Sequence, residues 1–124
     1  MQIPKRLIKP KPRKMVSIGE RILASHLDAL KIPYTTEFRF HPERKWRSDF
    51  RIDGYPILVE VEGGAHSNGR HTRGSGYTAD CEKYSQASIL GWRVIRGTTE
   101  QVKKGLVLKW IEMAMKGLEV EQCS

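Results

Sequence analysis

Trp46-Arg47-Ser48-Asp49-Phe50-Arg51-Ile52-Asp53-Gly54-Tyr55-Pro56-Ile57-Leu58-Val59-Glu60-Val61-Glu62 is the stretch whose reading decides the fold. Two runs of strand-forming residues flank Asp53-Gly54, a dipeptide suited to a short hairpin turn. A two-residue turn pairs Ile52 with Tyr55 and, stepping outward, Asp49 with Leu58. Side chains alternate along a strand, and cross-strand partners share a face. Asp49, Leu58, Glu60 and Glu62 then point the same way, with Asp49 and Glu60 as diagonal neighbours roughly 7–8 Å apart. Arg47 and Arg51 share that face in this register. A bare row of acids repels itself unless something positive lies between them. Two partners are open to them: the two arginines, in a surface salt-bridge ladder, or a divalent cation.

Outward from the hairpin, the elements follow in a simple order. Ser17-Ile18-Gly19-Glu20 fits a capping box, and Ile18, Ile22, Leu27 and Leu30 then recur at helical spacing up to Pro33. Tyr34, Thr36, Phe38 and Phe40 alternate as in a strand, and His41-Pro42-Glu43-Arg44 turns the chain. Residues 63–77 read as a glycine-rich loop. Thr78 is placed to cap a second helix that stops at Gly91. Trp92 to Arg96 reads as a short strand. Thr98 or Thr99 caps a last helix with Val102, Leu106, Trp110 and Met113 on one side. Three strands in a meander, with a fourth reached through a crossover helix, imply an α/β fold: a mixed four-stranded sheet flanked by helices. The domain reads as residues 16–117. A basic, proline-punctuated arm precedes it (1–15) and a polar, flexible tail follows it (118–124).

The chain has 124 residues, enough for one hydrophobic core. Its net charge is +8, which favours an anionic partner, nucleic acid first. Cys81 and Cys123 form neither a disulfide framework nor a zinc pattern. No apolar region follows the basic N-terminus and no run approaches the ~18 apolar residues of a membrane span, so a cytoplasmic protein is expected.

Carboxylates gathered on a strand face suit hydrolysis of a phosphodiester under a divalent ion. Asp49, Glu60 and the backbone carbonyl of Val61 are the expected ligands of Mg2+, with Mn2+ as an alternative; magnesium needs few protein oxygens because it keeps several waters. Glu62 orients or deprotonates the attacking water, or binds a second metal. His66, just past the strand, is a candidate to approach the phosphate. Glu20 either closes the capping box or reaches the metal through water. Lys83 is a candidate to place its ammonium beside the phosphate. Arg70, His71 and Arg73 among glycines suit phosphate contact, as do Lys11, Arg13 and Lys14 in the arm.

These residues resemble the PD-(D/E)XK nuclease superfamily, and within it the small branch related to very-short-patch-repair endonucleases and similar phage-encoded nucleases. The resemblance is carried by Ser48-Asp49-Phe50 and by Val59-Glu60-Val61-Glu62-Gly63-Gly64-Ala65-His66. It continues through Gly69-Arg70-His71-Thr72-Arg73-Gly74, Asp80-Cys81-Glu82-Lys83-Tyr84 and Gly91-Trp92-Arg93-Val94-Ile95-Arg96. It implies a restriction-endonuclease-like αβββαβ core with Asp49 and Glu60 as the metal-binding acids. Glu62 stands where the signature has lysine, and Lys83 is the candidate substitute. The expected activity is a magnesium-dependent DNA endonuclease of a bacterial or phage-infected cell, in repair or recombination. So small a reading surface suits branched, nicked or mismatched DNA better than a long sequence, and a branched substrate would favour a homodimer. The alternatives are a nucleic-acid-binding module of the same fold that has lost hydrolysis, and a basic assembly protein of a phage or mobile element.

Overall fold

The computed structural model describes residues 16–63 and 74–123. Helix α1 (Ile18–Ala29) leads into three strands, β1 (Tyr34–Arg39), β2 (Arg47–Ile52) and β3 (Ile57–Glu62). Helix α2 (Gly74–Ile89) crosses over to β4 (Arg93–Thr98), and helices α3 (Thr99–Lys103) and α4 (Leu106–Cys123) follow. The four strands form one sheet in the order β1-β2-β3-β4. The first two pairings are antiparallel and β3 runs parallel to β4. The expected mixed sheet flanked by helices is therefore present.

Alternation along the strands builds a core on each face. Phe50, Ile52, Ile57, Val59 and Val61 face one way and bury against Leu23 and Leu27 of α1, Val102 of α3, and Val107 and Ile111 of α4. Leu58 faces the other way, with Phe40, Phe38, Trp46, Trp92 and Val94, and packs against Ala87 of α2. The sheet is thus a middle layer, and the hairpin acids lie on the α2 side.

The hairpin register differs from the expected one. Arg51 pairs with Leu58 and Ile52 with Ile57, so the turn holds the four residues 53–56. The shift is two residues, not one, and side chains repeat every two residues, so every residue keeps its expected face. Extending the pairing outward brings Asp49 directly across from Glu60 instead of diagonal to it. On the other side, the β1–β2 register sets Glu37 across from Asp49, and there the β1 backbone turns left-handed (φ 53°).

Three helix boundaries also differ. α2 starts at Gly74, four residues before Thr78, and takes in Gly74 and Gly76 despite a helical cost of about 1 kcal/mol each. The last helix is two helices. Thr98 and Gln101 form a capping box for α3, and the break at Lys104-Gly105 rephases α4. Its buried positions become Val107 and Ile111, and Met113 turns outward, 61% exposed. α4 then continues through Gly117 to Cys123.

Gly97 sets how closely α4 approaches the sheet. A Cβ there would lie 2.3 Å from Cγ2 of Val107, with Trp110 also in contact range. Gly97→Ala should therefore overpack this interface and cost about 1–3 kcal/mol. Urea denaturation checks it: a lower midpoint is expected, and an unchanged midpoint would show that α4 shifts freely on β4.

Candidate active site

Glu60 lies at the centre of the α2 face. Val59 and Val61 on either side of it point into the opposite core, so alternation turns Glu60 toward α2, where its side chain is 12% exposed. From α2, Lys83 places Nζ 3.5 Å from one Glu60 oxygen, and the Tyr84 hydroxyl donates to the other at 3.3 Å. Beyond Tyr84, the Arg96 guanidinium sits 4.4 Å from the ring centre and its Nε donates to Glu62 at 3.0 Å. One connected row of polar groups thus runs from Lys83 through Glu60, Tyr84 and Arg96 to Glu62.

Asp49 adjoins this row from β2. Its Oδ2 accepts the Val61 backbone N–H at 2.8 Å, which fixes the carboxylate beside the Glu60–Val61 peptide. Burial pushes the Glu60 carboxyl up to about 7; Lys83 pulls it back and the Asp49 charge raises it. Tyr84 is also held above its ordinary value, first by burial and then by the Glu60 charge.

The sequence candidates divide into three groups. Asp49, Glu60, Val61, Glu62 and Lys83 are gathered at one end of the sheet. Glu20 reaches this end from the other layer: Gly19 lacks a side chain where a Cβ would meet Val61 and Thr99 at 2.7 Å, so the first turn of α1 lies against the end of β3. Glu20 is 8% exposed and takes a hydrogen bond from the Ser17 hydroxyl, which in turn accepts the Glu20 backbone N–H. His66, Arg70, His71, Arg73, Lys11, Arg13 and Lys14 lie outside the described residues.

Tyr84 and Arg96 had not been anticipated. Tyr84 was visible as the neighbour of Lys83 in Asp80-Cys81-Glu82-Lys83-Tyr84. Arg96 needed the pairing of β4 with β3, which sets it against Glu60, and no local pattern announces that. Among the described residues, neither Arg47 nor Arg51 pairs with Glu60 or Glu62. Arg51 donates to the Tyr55 carbonyl and stacks near Phe38 and Trp92, and Arg47 approaches Glu37 at 3.6 Å. Lys83 of α2 meets Glu60 instead, and Arg96 of β4 meets Glu62.

Among the described residues, no group of three or more His, Cys, Asp or Glu is arranged to hold a metal ion. What the chain offers is a pair of carboxylates, Asp49 and Glu60, joined by the Val61 peptide. Glu60 is desolvated, next to a second acid, and only partly compensated by Lys83. Two hard carboxylates beside one peptide are the donor type that suits a cation bringing its own waters, as magnesium does.

No protein-family model and no curated protein matches the chain. Among solved structures, it is similar to the catalytic domain of the homing endonuclease I-Bth0305I, with a TM-score of 0.56 and 20% sequence identity. The match covers 88% of this chain and 100% of that one. What the two share is the fold, a four-stranded mixed sheet between helices.

Proposed function

We propose that the chain is a magnesium-dependent DNA endonuclease of the PD-(D/E)XK type, acting on branched, nicked or mismatched DNA. The observation that carries this reading is a buried Glu60 beside Asp49 on one sheet face, under a lysine from α2. The shared fold with a homing endonuclease catalytic domain and the net charge of +8 support it.

Asp49, Glu60 and the Val61 carbonyl would hold the ion. Bound there, magnesium would supply an acidified water and positive charge to offset the charge developing on the phosphate. Glu62 orients the attacking water or takes its proton, and its ion pair with Arg96 sets its direction. Lys83, which pairs with Glu60, would set its ammonium beside the phosphate, the part that the signature lysine plays in the superfamily. Tyr84 holds Glu60 from the other side.

Cleavage of plasmid, nicked, mismatched and four-way-junction DNA tests this directly. Wild-type protein with magnesium should cut at least one substrate, and Asp49→Ala and Glu60→Gln should each lose at least ~100-fold, since each removes a metal ligand. A wild-type protein that binds these substrates but cuts none with magnesium or manganese would favour the non-catalytic module.

The raised Glu60 value also predicts a pH dependence of stability. A carboxyl that titrates higher in the folded state than in the unfolded one stabilises the fold fully below the ordinary value of 4.5, and that contribution is lost as pH rises through about 7. Without metal, wild type should lose up to about 3 kcal/mol relative to Glu60→Gln across this window. Lys83→Met should move the upper limit of the window higher, because the compensating charge is gone. Denaturation at a series of pH values checks both. Parallel pH profiles for wild type and Glu60→Gln would show that Glu60 is not held in this environment.

A further inference from the structure

The connection between β1 and β2, residues 40–46, lies at the carboxylate end of the sheet. Arg39 and Arg47 pair where β1 ends and β2 begins, and β2 runs antiparallel to β3, so this is the end at which β3 closes in Glu60 and Glu62. From 39 to 47 four cationic side chains, Arg39, Arg44, Lys45 and Arg47, stand against one acid, Glu43. All four are exposed. The opposite end of the sheet carries instead the 53–56 turn, where Asp53 accepts from Thr35 and Tyr55 bonds Glu119.

This connection is built as a firm platform. The His41 Nδ1 accepts the backbone N–H groups of Glu43 and Arg44, each at 3.0 Å. Trp46 stacks on Phe40, and Arg44 covers the Trp46 ring at 3.9 Å. Trp92, the residue before β4, donates its indole N–H to the Phe40 carbonyl. Arg44 also pairs with Glu82 at 2.8 Å, one residue before Lys83, which ties the platform to the helix over Glu60. With Arg44 so engaged and Arg39 donating to the Arg44 carbonyl at 3.4 Å, Lys45 and Arg47 carry the outward charge of the platform; the Arg47 side chain is 58% exposed even as it approaches Glu37 at 3.6 Å.

Three acids at one end of the sheet repel a polyanion, so a nucleic acid needs fixed positive charge beside them to settle there. We propose that residues 39–47 form a docking platform for the phosphate backbone of duplex DNA on one side of the cut bond, with Lys45 and Arg47 making the phosphate contacts. This rests on the nuclease reading and assigns the site its duplex-gripping edge. A preformed platform loses little entropy on binding. Its contacts are to the backbone, so it positions DNA without reading sequence.

Fluorescence anisotropy with a short labelled duplex, in the Glu60→Gln protein without magnesium, separates the two ideas. Lys45→Gln/Arg47→Gln should weaken binding about tenfold and make the slope of log K against log salt shallower by about two. Lys31→Gln/Lys116→Gln removes equal charge from exposed positions, Lys31 at the opposite end of the sheet and Lys116 on α4, and should change neither. Equal effects of the two double variants, or none from Lys45→Gln/Arg47→Gln, would overturn the platform and leave the nuclease reading standing. No duplex binding by the parent protein, together with no cleavage by wild type, would overturn both.

Discussion

The desolvation of one carboxylate organises this structure. Glu60 occupies a position that strand alternation turns into the α2 layer, where a charged acid is costly unless compensated. The chain supplies compensation from one helix distant in sequence, the Lys83 charge and the Tyr84 hydroxyl of α2. Asp49 works in the opposite direction and is pinned there by the Val61 N–H. A fold seeking stability alone would not set a second acid beside a buried one. A site that must capture a cation gains from that arrangement, because the ion removes both the repulsion and the desolvation cost.

The remaining architecture holds the pair in place. Five apolar residues on the far face of β2 and β3 anchor those strands to α1, α3 and α4, while the near face carries the carboxylates beside a smaller apolar cluster around Leu58. Gly19 lets α1 come against the end of β3, and Gly97 lets α4 come against β4. The basic connection between β1 and β2 then rims the carboxylates with positive charge at the end where they cluster.

Much of this was legible in the sequence because period-two alternation is robust. The turn was expected to hold two residues and holds four, yet the error of two left Asp49, Glu60 and Glu62 on their common face; an error of one would have moved Asp49 to the other side of the sheet. Lys83 was legible as a cation on the crossover helix. What escaped depends on long-range pairing or on helix phase. Arg96 joins the acids only through the parallel β3–β4 pairing. Met113 was expected on one helix side with Val102, but the break at Gly105 turns the face so that Ile111 is buried and Met113 is exposed. Residues 41–44 read as a mere turn between two strands until the register showed which end of the sheet they occupy.

Calorimetric titration of the metal-free protein with magnesium, and with manganese as the tighter-binding probe, tests the central claim most directly. Wild type should bind at a single site involving Asp49 and Glu60, with proton release near neutral pH as the Glu60 carboxyl ionises. The binding heat should vanish in Glu60→Gln and in Asp49→Asn. Metal binding that persists undiminished in both variants, or no binding in wild type, would contradict the account.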